Sequence, residues 1–173
     1  MSPSAPSPTI SGPSLDEIVN KLDTNGYVVI RNFLPREQVA SLKEVLNHSY
    51  RLNSNELSSV YWFDAVFFSN AAGYSKTAFD VLTSPAVRLI AESYLGKRIR
   101  LKCHRVYSTR RDFKFPWHTD NKVEGGKVPV KGLAFIIYLI DTDNGATQFA
   151  PGSHSAGASG HRAGSRSVNC RKA

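Results

Sequence analysis

Gly132-Leu133-Ala134-Phe135-Ile136-Ile137-Tyr138-Leu139-Ile140, running into Asp141-Thr142-Asp143-Asn144-Gly145, is the stretch whose reading decides the fold class. Apolar residues stand on both alternating faces of its first nine positions, which predicts a strand covered on both sides. Asn-Gly tolerates the positive φ angles of a tight hairpin turn, so Ala146 to Ala150 reads as the returning strand. Upstream, Ile99 to Tyr107 and Tyr27 to Phe33 are rich in β-branched and aromatic residues and predict two more strands. Short strands, a hairpin and few long helices in the C-terminal half predict an antiparallel barrel or jelly roll.

Helices flank this β core. Ser14-Leu15-Asp16-Glu17 has the form of a capping box, and Leu15, Ile18, Val19 and Leu22 keep helical spacing until Asn25-Gly26. A helix over 14–25 is expected. A second spans 36–50, with Val39, Leu42, Val45 and Leu46 on its buried stripe, and a third spans 86–95, closed by Gly96. The first two are expected to cover one side of a sheet. Between Asn53 and Pro85, the aromatic cluster of Tyr61, Trp62, Phe63, Phe67 and Phe68 fits neither period and reads as loop with some strand.

At 173 residues and 41% hydrophobic content the chain is sized for one domain with one core. Residues 1–13 are mostly Ser, Pro, Ala, Gly and Thr and read as a disordered lead, without the basic and apolar regions of a signal peptide. No apolar run approaches the roughly eighteen residues a membrane span needs. Cys103 and Cys170 stand apart, outside any CxxC spacing, which fits a reducing compartment, so a cytoplasmic protein is expected. Half of the net charge of +8 comes from Arg162, Arg166, Arg171 and Lys172 in the acid-free segment 155–173. Lys97, Arg98, Arg100 and Lys102 form a second basic group, read first as a solvated strand face and second as a docking surface for an anionic substrate. Neither group comes with a recognition helix or stacking aromatics, so no nucleic-acid partner is expected.

Chemistry enters at Pro116-Trp117-His118-Thr119-Asp120. Residues i and i+2 of an extended segment project to the same face, so the His118 imidazole and the Asp120 carboxylate can close on one small cation. A mixed N/O donor set with open positions suits Fe(II), where two histidines and one carboxylate hold one face of the metal. Taken alone, His-x-Asp reads as a solvated loop before it reads as a metal site, since the pair occurs by chance in many surface loops. If Ile99, Leu101 and Cys103 face the core, Arg105 and Tyr107 point the same way, toward the mouth of whatever the sheet encloses. A bulge in that strand would turn Arg105 outward instead. Tyr138 reads as a core aromatic before it reads as a wall of the same cavity.

Four stretches together resemble the phytanoyl-CoA dioxygenase family of Fe(II)/2-oxoglutarate oxygenases: Gly26 to Leu34, Pro116 to Asp120, Asn144-Gly145-Ala146 leading to Pro151-Gly152-Ser153-His154, and the tail from His161. The resemblance implies a double-stranded β-helix, cupin-like, over an oxygenase-like domain at 14–154, with the helices packed outside it. It implies His118 and Asp120 as the first two iron ligands. Because relatives that halogenate leave the second position to a small residue, the presence of Asp120 implies hydroxylation. In the tail 155–173, the resemblance implies His161 as the third ligand and Arg171 as the clamp on the far carboxylate of 2-oxoglutarate, with Tyr107 beside that cofactor. Arg105 and Trp117 become substrate contacts, for a small-molecule or acyl-thioester substrate.

The sequence departs from the family between His154 and His161. Only six small residues, Ser155 to Gly160, stand where the family has further strands, and two strands of five or six residues would need roughly ten to twelve plus turns. The chain also stops two residues past Arg171, too soon to complete a strand, so the barrel is expected to be incomplete on its C-terminal side. A gene model or splice form lacking the middle of the barrel, a compact variant, and an unrelated tail all fit this departure. An inactive or truncated member acting as a binding module is the alternative to a working enzyme, and His154 is the alternative to His161 as third ligand.

Overall fold

The computed structural model describes residues 12–51, 59–62, 65–96, 98–109, 131–141 and 147–155. The lead 1–13 therefore lies almost wholly outside the described residues, as do 110–130 and 156–173. Within the described residues five helices and three strands follow in the order α1 (Leu15–Asn25), α2 (Arg36–Arg51), β1 (Ser59–Trp62), β2 (Ala65–Ser69), α3 (Ala71–Tyr74), α4 (Lys76–Leu82), α5 (Pro85–Leu95) and β3 (Arg105–Thr109).

The three long helices form where the apolar spacing placed them. In α1 the Ser14 hydroxyl accepts from Glu17 N–H while the Glu17 carboxylate accepts from Ser14 N–H at 2.7 Å, so two N-terminal donors are satisfied reciprocally. That paired hydrogen bonding to Ser14 holds the Glu17 carboxyl below its ordinary pKa. Gly26 ends the helix at φ +81°, in the left-handed region, and its N–H returns to the Leu22 carbonyl at 3.0 Å. Ser84 caps α5, with Pro85 in its first turn, and Gly96 closes it.

The sheet is antiparallel throughout, in the order β1-β2-β3, with Val60 opposite Phe67 and Phe67 opposite Tyr107. Its central strand, β2, lies in the aromatic region that reads from sequence as loop with some strand. Asn70, at φ +62°, turns the chain from β2 into α3, and its N–H donates to the His104 carbonyl at 3.0 Å.

Two cores hold the layers together. In the first, Leu42 and Val45 of α2 meet Ala71, Ala78 and Val81 of α3 and α4, with Val106 of β3 and Ile137 and Leu139 packed against them. In the second, Ile18 and Leu22 of α1 meet Ile90 of α5, with Val28, Ile30, Phe33 and Leu133 alongside. The stripes expected on α1 and α2 are therefore the buried ones. Fully burying one such side chain contributes roughly 1.5–3 kcal/mol.

Several strand expectations need correction. Residues 27–33, 99–104, 132–140 and 147–150 carry no strand ladder, and 31–32 form a turn. Among the described residues helix exceeds strand, so the mainly-β expectation is not met there. The reason is physical: alternation records which side chains are buried, whereas a ladder needs a neighbouring backbone in register. The burial half of the reading holds for one face only. Leu133, Ile137 and Leu139 pack on the helices, while Ile136, Tyr138 and Ile140 are exposed, as is Phe135, which shares the phase of Ile137 and Leu139; the helices thus meet this segment on one side only, and the two-sided cover is not seen among the described residues. Tyr138 is not a core aromatic. Its hydroxyl donates to Thr147 Oγ1 at 2.8 Å and accepts from Thr147 N–H at 2.7 Å, joining the two arms expected to form the hairpin.

Candidate active site

β3 has two chemically distinct faces. Val106 packs on the helical core with Phe68, its cross-strand partner, which is 1% exposed. Arg105 and Tyr107 alternate with Val106, so they lie on the side turned away from the helices, where Tyr107 is 41% exposed. This keeps both residues on one face, as expected. It reverses the phase of the segment before them, however, because Ile99, Leu101 and Cys103 are exposed and do not face the core. An alternating apolar-and-basic segment is compatible with either phase, and it is the packing of Val106 that selects one. Arg98, Arg100 and Lys102 are exposed too, as a solvated face requires.

His104 was not singled out by its sequence context of Arg, Lys and Cys. It is half-buried, its Nδ1 accepts the Ala72 N–H at 3.2 Å, and burial lowers its pKa below the ordinary histidine value. An imidazole that accepts at Nδ1 has its proton on Nε2, and protonating Nδ1 would remove the acceptor. The signal available in the sequence was parity: His104 shares the phase of Val106. Its bond to Ala72 N–H ties the start of α3 to the residue that leads into β3.

His154 occupies a turn, Pro151 to Ser155, that docks on the end of α1. Its Nε2–H donates to the Asp23 carbonyl at 3.0 Å, and Nδ1 faces Gly26 so closely that a Cβ there would overlap the ring. In this arrangement Nε2, the nitrogen farther from Gly26, is engaged by a backbone carbonyl, which gives His154 a structural bond at the end of α1. The cleft between the two segments, lined by Gly26, Tyr27, Gln148, Phe149 and His154, measures about 110 Å³. Ligand pockets run to roughly 300–1,000 Å³, so among the described residues this cleft is small for a ligand pocket.

His118, Asp120, Trp117, His161 and Arg171 lie outside the described residues. Among the described residues no group of three His, Cys, Asp or Glu side chains could hold a metal ion, and no helix is long and apolar enough to cross a membrane. The described part of the chain thus supplies a sheet that packs on helices through Val106, and the candidate donors fall in 110–130 and 156–173, outside the described residues.

The family model for phytanoyl-CoA dioxygenase (PhyH) matches residues 22–173, and the chain belongs to that family. Members are generally oxygenases that depend on Fe(II) and 2-oxoglutarate. No curated protein and no solved structure matches the chain.

Proposed function

We propose that this protein is an Fe(II)/2-oxoglutarate-dependent dioxygenase that hydroxylates a small-molecule or acyl substrate, built on a double-stranded β-helix whose helix-backed sheet includes β2 and β3. The observation that carries the reading is the match to the family across residues 22–173, a span that contains both His118-x-Asp120 and the tail from His161. Two imidazoles and one carboxylate are the donor chemistry that Fe(II) takes in a facial site with open positions, so His118, Asp120 and His161 fit the metal and would hold it. Bound there, the iron and 2-oxoglutarate together supply oxygen activation coupled to decarboxylation to succinate.

The chain's own residues provide the geometry. Asp120 contributes the charge that offsets a divalent cation. Arg171 offers a planar two-pronged guanidinium matched to the distal carboxylate of the keto acid. Tyr107, on the face of β3 opposite Val106, would lie beside 2-oxoglutarate, and Arg105, two residues away on the same face, would orient an anionic or polar substrate group; the alternation of these residues with the core-packed Val106 supports that reading. Trp117 supplies an apolar wall beside His118.

Anaerobic titration with Fe(II) and 2-oxoglutarate tests this directly. The expected result is a weak visible charge-transfer band near 500 nm (roughly), as chelation of the keto acid in an open coordination site requires, together with succinate formation in air, both lost in His118→Ala. Succinate production unchanged in that variant would refute the assignment. A second reading rests on the short Ser155 to Gly160 connection: a family member that keeps part of the donor set and serves as a binding module. It predicts no band and no succinate in a folded chain.

A further inference from the structure

The Pro151-Gly152-Ser153-His154 turn has a role that neither the metal nor the substrate assigns to it, and three contacts define it. Gly152 N–H donates to the Asn25 carbonyl at 2.9 Å, His154 Nε2–H donates to the Asp23 carbonyl at 3.0 Å, and the rings of Tyr27 and Phe149 stack with centroids 4.9 Å apart and planes 9° apart. The two carbonyls are among the last of α1, where acceptors have no partner within the helix and donors or positive charge are favoured. Gly26 permits the approach, since any side chain there would meet the imidazole. The turn is closed on itself as well, by Ser155 Oγ and N–H on the Gly152 carbonyl.

We infer that this turn is a latch and that His154 is a positioning residue, fastening the chain to the end of α1 immediately before the tail that carries His161 and Arg171. The positioning part rests on the dioxygenase reading above. Seven residue steps separate His154 from His161, and at no more than about 3.5 Å each they keep the distal ligand within roughly 25 Å of the latch. Anchoring one end of so short a tether raises the effective concentration of His161 at the metal, and releasing it lowers that concentration. The stacked Tyr27 and Phe149 rings extend the same attachment into the arm that leads back to Tyr138.

Hydrogen exchange of the full metal-free chain and its iron titration with 2-oxoglutarate, compared in wild type, His154→Ala and His154→Gln, decide the matter. In His154→Ala, amides of 148–155 and the last turn of α1 are expected to exchange roughly fivefold faster, the equivalent of one net hydrogen bond, while those of α4 and α5 are unchanged. The iron midpoint is expected to rise by about the same factor. His154→Gln keeps an N–H that can donate to the Asp23 carbonyl, and it restores both. Unchanged exchange in His154→Ala overturns the latch. Faster exchange with an unmoved iron midpoint overturns the positioning role. If the wild type gives no band, the dioxygenase reading fails instead, and the exchange rates alone decide the latch. Should His154→Ala not fold, a folded His154→Gln with wild-type exchange supports the latch, and one with fast exchange overturns it.

Discussion

Gly26→Ala is the substitution whose cost can be worked most fully from the structure. Two separate effects converge on one methyl group. The residue sits at φ +81°, ψ −1°, where an L side chain costs roughly 1–2 kcal/mol. The added Cβ also overlaps the His154 ring, so the imidazole must move and give up its bond to the Asp23 carbonyl, worth about 1 kcal/mol net, with some loss of packing besides. The sum is about 2–4 kcal/mol, a large part of the 5–15 kcal/mol that holds a typical domain together. Urea unfolding followed by two probes gives the midpoint and shows whether the transition is two-state. The same substitution in a His154→Ala background isolates the backbone share, because the ring is no longer there to be struck; about 1–2 kcal/mol should remain, leaving a coupling of similar size. Equal costs in the two backgrounds would refute the argument that Gly26 is there to admit His154, and a total below about 0.5 kcal/mol would refute both parts.

Two further outcomes follow from the same geometry. Burial holds the pKa of His104 below its ordinary value, so the unfolded chain takes up this proton more readily than the folded one; stability is full above about pH 6.5 and falls as the pH drops through and below that value. Urea midpoints from about pH 7.5 to 5.5 should decline in the wild type and less steeply in His104→Asn, whose carboxamide oxygen can still accept the Ala72 N–H; identical slopes would remove His104 as the cause. Phe68→Ala, at a side chain 1% exposed and cross-strand from Val106, is expected to cost about 3–5 kcal/mol, whereas Leu101→Ser, at a residue 61% exposed, should stay within about 0.5 kcal/mol. Comparable unfolding midpoints for the two would mean that the layers do not meet at Phe68.

The fastenings of the N-terminal half were legible because they are local. Ser14 and Glu17 are three residues apart, Gly26 follows the last helical turn, and Ile18 and Leu22 share a stripe, so one helix contains all the information its ends and buried face require. The strands were legible only as tendencies. The alternation through Leu133, Ile137 and Leu139 correctly marks residues that meet the helices, yet 132–140 has no ladder, and the central strand β2 formed instead from an aromatic run with no clean period. β1 pairs with β2 across a short connection, but β3, the other partner of β2, joins it only after three intervening helices, and nothing in the local pattern names it.

The sequence by itself pointed to the family, through the order of four short motifs, and to the chemical type of the candidate donors, because imidazole and carboxylate are properties of residues wherever they stand. Tertiary structure decided direction and neighbours. Val106, packed against the cluster formed by α2, α3 and α4, put Arg105 and Tyr107 on the far side of β3, whereas Ile99 and Leu101, ahead of the strand, are exposed. It likewise brought His154 to Asp23, 131 residues earlier in the chain, and so converted a histidine that could have been read as a ligand into a helix-end donor. A residue's chemistry is written in its side chain, but whether that chemistry meets a metal, a carbonyl or solvent depends on which distant segment packs against it.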